Sequence, residues 1–174
     1  DHWRQLGLPG WSYEDVLVYF KRAEHFVPGA DAHHGAGGPL WVSKPESGND
    51  IYRAFIEAAD EAGYRRTRDF NGADQEGAGY YHLTIKDGAR CSAAAAYLKP
   101  VLGIRANLHV ESHAHATRVV VEDGRAVAVE YASGPGAPRK RIKAGREILL
   151  AAGAVQSPQI LLLSGVGDPG ALGA

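Results

Sequence analysis

Apolar positions recur along this chain in two textures. Through the first hundred residues they return every three or four places, broken by loops of glycine, proline and histidine, and from Asn107 onward the texture is that of strands. Ser12 with Asp15 three places on is close to a capping box, with Asp where Glu or Gln is usual. Val16, Phe20 and Ala23 then fall on one face, which predicts a helix over about 13–25. Asn49 or Asp50 caps a second helix, in which Ile51, Phe55, Ala58 and Ala62 repeat at helical spacing before Gly63. Residues 39–43 and 80–85 read as strands, Asp87-Gly88 as a turn, and Ser92 as the cap of an alanine-rich helix that Pro100 ends. Further on, residues 108–111 read as a strand. Segments 117–121 and 126–131 flank Asp123-Gly124 as a hairpin, and 141–144 and 147–151 are further strands. Ser157 and Pro158 open a final helix as N-cap and first-turn proline, and Gly165 closes it. The fold class expected is α/β, in a mixed α+β form.

Composition narrows the setting. The chain has 174 residues, 45 % of them hydrophobic and 22 % charged, with a formal net charge of -1, which suits one domain or parts of two. No basic stripe is present, so no nucleic-acid partner is expected. The run Arg139-Lys140-Arg141 with Lys143 is expected as a solvated strand end. One cysteine, Cys91, excludes an intrachain disulfide and a multi-cysteine metal site. It gives no sign of an oxidising compartment, and a cytoplasmic location is expected. No apolar run reaches the roughly 18 residues of a membrane helix. The chain lacks methionine, begins inside a polar-aromatic segment and ends just after a helix and turn, so both ends are expected to be cut points in a longer polypeptide.

The most informative stretch is residues 147–167. It reads as a buried strand, a turn of small residues (Ala151, Ala152, Gly153, Ala154) and a helix. So little side chain at the carboxyl end of a strand admits a ligand or another backbone, and α/β sheets bind ligands at such ends. An ordinary strand-to-helix turn is the alternative on physical grounds alone.

The same string, with Ser157-Pro158, Ile160-Leu161 and Ser164-Gly165-Val166-Gly167, resembles the second signature of the glucose-methanol-choline (GMC) oxidoreductases. Other parts agree in that family's order: Pro9-Gly10-Trp11-Ser12-Tyr13, Tyr19-Phe20-Lys21-Arg22, His34-Gly35, Gly38-Pro39-Leu40, Asp69, Asn71-Gly72, Tyr97-Leu98 and Asn107-Leu108. The resemblance spans essentially the whole chain, and the choline-dehydrogenase-like branch is most similar. It implies FAD as cofactor, a small-molecule alcohol as substrate, and hydride transfer to the flavin. It implies that residues 1–104 supply lid-adjacent segments and part of a substrate domain, and that 105–174 supply part of an FAD-binding domain interleaved with it. It also implies flavin contacts at Ala116, where the family usually has valine, and at Ala152 and Gly153. Val18 departs from the family's usual proline. The family's catalytic pair is a histidine with a second histidine or asparagine, and none of the eight histidines here matches those positions. A formal G-x-G-x-x-G at Gly165, Gly167 and Gly170 is rejected as a phosphate turn, since a helix precedes it and Pro169 interrupts it.

Single residues have their own readings. His109, His113 and His115 would share a face if they lay on one strand, but they are expected as surface or packed histidines rather than metal ligands. His33-His34 is expected as a structural or solvated loop pair, and Cys91 as a buried thiol rather than a nucleophile. Trp3, Trp11, Tyr13, Tyr19 and Phe20 are expected in core and interdomain packing, and Gln75 and Tyr80 are candidates for lining a substrate cavity. The second functional reading is a truncated, non-catalytic chain with at most weak nucleotide binding or an interaction role.

Overall fold

The computed structural model describes residues 1–45 and 48–173 of the chain, so Ala174, the last residue of the predicted second segment, lies outside the described residues. Two compact units are present, Asp1–Leu108 and His109–Ala174.

The first unit begins with α1 (His2–Gln5) and α2 (Tyr13–Ala23). The box expected at the start of α2 is complete: Ser12 Oγ accepts from the Asp15 amide, and Asp15 accepts from the Ser12 amide. The chain then turns into β1 (Glu24–Phe26), which pairs in parallel with β2 (Leu40–Val42). α3 (Asp50–Glu61) is capped by Asn49, whose side chain accepts from the Ile51 amide. Its predicted apolar face exists but is not buried within the unit, for Ile51 is 73 % and Phe55 70 % exposed. Phe20, Trp3, Trp11, Tyr13 and Tyr19 are exposed likewise, so of the expected core and interdomain packing these aromatics do not supply a core within this unit.

The strand expected over 80–85 reduces to β3 (Ile85–Lys86), paired with β4 (Ala89–Arg90) across the Asp87-Gly88 turn. Both turn residues have positive φ, at 50° and 74°, the geometry of a tight hairpin. The alanine-rich helix is a π-helical turn over Ala94–Leu98, with Ser92 Oγ accepting from the Ala95 amide.

The second unit is a three-stranded antiparallel sheet with a helix on it: β5 (His115–Glu122), β6 (Arg125–Ala132), β7 (Lys140–Lys143), α4 (Gly153–Leu163) and the short α5 (Pro169–Leu172). Asp123 and Gly124 turn the hairpin as expected, with φ of 50° and 74°. Val119, Ala128, Ala132 and Ile160 form the buried centre. Two expected strands, 108–111 and 147–151, do not form, because neither finds a ladder partner among the described residues. α4 also starts earlier than expected. Ala152 is its N-cap, and Pro158 lies in the helix interior rather than the first turn. Ser157 is not the cap; its hydroxyl instead accepts from the Ala152 amide at 3.0 Å. Among the described residues no helix is long and apolar enough to cross a membrane.

Candidate functional site

The second unit brings two of the three expected flavin-contact positions into one place. Ala116 stands at the start of β5 opposite Tyr131, just before a register irregularity between Ala116 and Arg118. Thr117 is the extra residue there, and bulges of this kind re-aim neighbouring side chains. Ala152 is the N-cap residue of α4. Both line a cavity of about 300 Å³, together with His115, Gln156, Gln159 and Ile160. Gly153 follows with φ +88°, a conformation that favours glycine, and a Cβ added there would meet nothing within 4 Å. The turn is therefore bent by glycine and open beside it, which leaves room for a ligand. Its polar lining is Gln156, Gln159 and the His115 imidazole, with no lysine, arginine or carboxylate, so the cavity suits a flat hydrogen-bonding ring better than a phosphate. This chemistry fits the base end of FAD. The Gly165-Gly167-Gly170 run follows α4, and the position of Gly167 lies against the Leu162 side chain, so it forms no strand-to-helix phosphate turn.

The first unit holds a buried charged cluster. Only 1 % of His34 is exposed, and its ring stacks on Phe26 at 3.8 Å between centroids. As an imidazolium it donates from Nδ1 to the Glu24 carboxylate at 3.1 Å and from Nε2 to Asp69 Oδ2 at 2.7 Å. Glu24 is on β1 and Asp69 lies 35 residues beyond His34, so one ring ties two distant segments together. Glu24 also accepts from the Gly35 amide, Asp31 from the His33 and His34 amides, and Asp69 from the Asn71 amide. His82 Nδ1 stands 3.5 Å from Asp69 Oδ1.

Two histidines side by side thus meet opposite fates. Burial opposes charge on His34, but hydrogen bonds to Asp69 and Glu24 outweigh it and raise its pKa. Burial dominates at His82 and lowers its pKa, with the Asp69 charge opposing and His34 and Lys44 adding to the drop. Burial also opposes charge on Asp69, but the Asn71 amide and His34 outweigh it and lower its pKa.

The signs follow from linkage. Stability from His34 is fully present below the unfolded value of about 6.5 and is lost as pH rises through its raised folded value. Stability from His82 is present above about 6.5 and is lost as pH falls through its lowered one. Stability from Asp69 is present above roughly 4 and is lost on further acidification. Imidazole NMR titration is expected to place the His34 midpoint above 6.5 and the His82 midpoint below it, 6.5 being the ordinary value for both. Midpoints in the reverse order would show that the proton sits elsewhere.

Sequence reasoning missed this cluster. His34-Gly35 was visible as a motif, but nothing local shows that its partner is Asp69. The other candidates fall apart spatially. Gln75 lines a hollow of about 320 Å³ beside Glu24, His34 and Asn71. Tyr80 lines a different groove of about 460 Å³ with Phe55 and Leu83. His109 and His113 lie outside any strand, so they do not share a strand face with His115. Cys91 is buried, and its thiol approaches the Pro39 carbonyl at 3.7 Å.

Known proteins are similar to this chain along its whole length. The family model described as GMC oxidoreductase matches residues 1–174. Human mitochondrial choline dehydrogenase is 43 % identical over 168 residues, which is 97 % of this chain and 28 % of that protein. The oxygen-dependent choline dehydrogenase of Rhizobium etli is 45 % identical over 167 residues, covering 96 % and 30 %. Among solved structures, pyridoxine 4-oxidase from Mesorbium loti superposes with a TM-score of 0.82 at 33 % identity, over 97 % of this chain and 33 % of its own. An FAD-dependent oxidoreductase from Chaetomium thermophilum gives 0.86 at 26 % identity, over 98 % and 32 %. The chain therefore spans about a third or less of the proteins it matches. A match over its full length makes this chain a member of the GMC oxidoreductase family.

Proposed function

We propose that this chain forms part of an FAD-dependent oxidoreductase that oxidises a small alcohol, choline or a choline-like primary alcohol among them. The observation that carries the reading is the cavity at the start of β5, which gathers Ala116 and Ala152 beside the open turn at Gly153. In this reading residues 105–174 contribute to the FAD-binding domain, and residues 1–104 contribute lid-adjacent segments and part of the substrate domain. The relatives' names support an alcohol as substrate.

FAD, when bound, supplies the acceptor for hydride from the alcohol carbon. This chain's residues bind and orient. The Ala116 backbone would hold the base end, Ala152 would line it, and Gly153 keeps the turn clear of side chain. The charged cluster at His34 fixes the loop that carries Asp69 and Asn71.

The test is the polypeptide that the gene encodes. Purified, it is expected to carry stoichiometric flavin, and anaerobic addition of choline or another small primary alcohol is expected to bleach the flavin band. Colourless protein that cannot be reloaded with FAD rejects the reading. Expressed as these 174 residues, the chain is expected neither to retain stoichiometric flavin nor to reduce a dye with alcohol, because it carries neither a strand-to-helix phosphate turn nor a histidine in the place of the family's catalytic base.

A further inference from the structure

We propose that Gln156 and Gln159 read the base of the bound dinucleotide, selecting adenine over guanine through their side-chain amides. The inference rests on the reading of the β5–α4 cavity as a nucleotide site and adds to it the residues that decide which base enters.

Gln156 and Gln159 are three places apart on α4, so their side chains leave the helix on the same face. Both are exposed and both line the cavity, and neither amide hydrogen-bonds to another described residue. Ala116, Ala152 and Ile160 give the same cavity flat apolar walls. A volume of about 300 Å³ is at the lower end of the range for small-molecule pockets. It holds a base and leaves the remainder of a dinucleotide outside. No lysine or arginine lines it, so charge does not recruit a phosphate there.

The recognition chemistry then follows from the groups available. A glutamine amide offers one acceptor oxygen and two N–H donors side by side. The adenine edge at N6 and N7 offers one donor and one acceptor, and a glutamine amide meets both at once. The same edge of guanine offers two acceptors, O6 and N7, and the amide matches only half of that pattern. Two such amides on one helix face also provide for the N1 side of adenine, where an acceptor again lies beside the N6 donors.

The test uses the full-length polypeptide that the gene encodes, stripped of flavin, with ADP and GDP as probes, followed by amide NMR, which detects weak binding. ADP is expected to move the resonances of residues 114–116 and the side-chain amide signals of Gln156 and Gln159. GDP is expected to bind about tenfold more weakly, the discrimination of one bidentate amide–base pair. Gln156→Ala and Gln159→Ala are expected to abolish that preference while leaving the far-UV spectrum unchanged, since both side chains are exposed. Equal binding of ADP and GDP at these resonances would reject the inference and leave the nucleotide cavity standing. Retention of the preference in both glutamine variants, with its loss in His115→Ala, would move the recognition to the imidazole and reject the inference also. Binding of neither probe would overturn the cavity reading and this inference together.

Discussion

Replacing His34 with leucine is expected to destabilise the chain by about 3 kcal/mol, near the low end for breaking a buried charged pair. The low end applies because Glu24 and Asp69 keep 17 % and 26 % side-chain exposure, so water recovers part of the loss. Leucine is close in size and can still lie against Phe26, so the loss comes from leaving two carboxylates facing each other without a cation. For a chain of this length the melting temperature should fall by about 6–12 °C. Adding Glu24→Gln and Asp69→Asn to the leucine variant removes both uncompensated charges and is expected to restore much of the stability. Thermal and urea unfolding of the single and triple variants measure this. A loss below about 1 kcal/mol for His34→Leu, or no recovery in the triple variant, would mean that charge is not what holds these segments.

Gly35→Ala should be comparably severe for a different reason. A Cβ on Gly35 would sit inside contact distance of the Lys21 carbonyl in the last turn of α2. Backbone cannot rotate aside as a flexible side chain can, so the loop must move. Moving it strains two bonds, from the Gly35 amide to Glu24 and from the Phe26 amide to the Gly35 carbonyl, each 2.9 Å long. Overpacking of a well-fitted site costs about 1–3 kcal/mol, and the upper end applies where the obstacle is backbone. Gly29→Ala is the control. Its φ of +116° makes alanine strained, yet nothing lies within 4 Å of an added Cβ. Urea unfolding should show Gly35→Ala losing clearly more than Gly29→Ala, and the reverse order would show that the loop accommodates a methyl group.

Local signals were legible where a few neighbouring residues decide the structure. Ser12 and Asp15 close their box, Asn49 caps α3, and Asp87-Gly88 and Asp123-Gly124 turn their hairpins. What failed depends on distant chain. Residues 147–151 are apolar and small enough for a buried strand, but a strand needs a hydrogen-bonded neighbour, and none is present among the described residues. Ser157-Pro158 carries the letters of a helix start. Yet Gly153 bends the chain earlier, and the Ser157 hydroxyl is taken by the Ala152 amide. The apolar spacing of α3 specifies a helix, but spacing does not say whether anything covers that face. The cavity positions Ala116 and Ala152 came from family likeness; composition alone would not single out two alanines. The His34 cluster stayed hidden because its meaning lies in Asp69, which no periodicity connects to it.

Among the described residues the small sheet of the second unit has two outer margins, and each is guarded by a different means. Along β5, the Val119 amide points outward and is taken by the Ser164 hydroxyl at the end of α4, at 2.8 Å. Along β7, the strand is Lys-Arg-Ile-Lys and every residue is exposed, with Arg141 steadied by Glu122 on β5 at 2.8 Å. A bare strand margin is a template on which an identical chain can add itself, and cationic side chains set along it make such a copy repel. One margin is shielded by a helix and the other by charge, so while the first unit leaves much apolar surface uncovered, this sheet offers no easy seed for fibre growth.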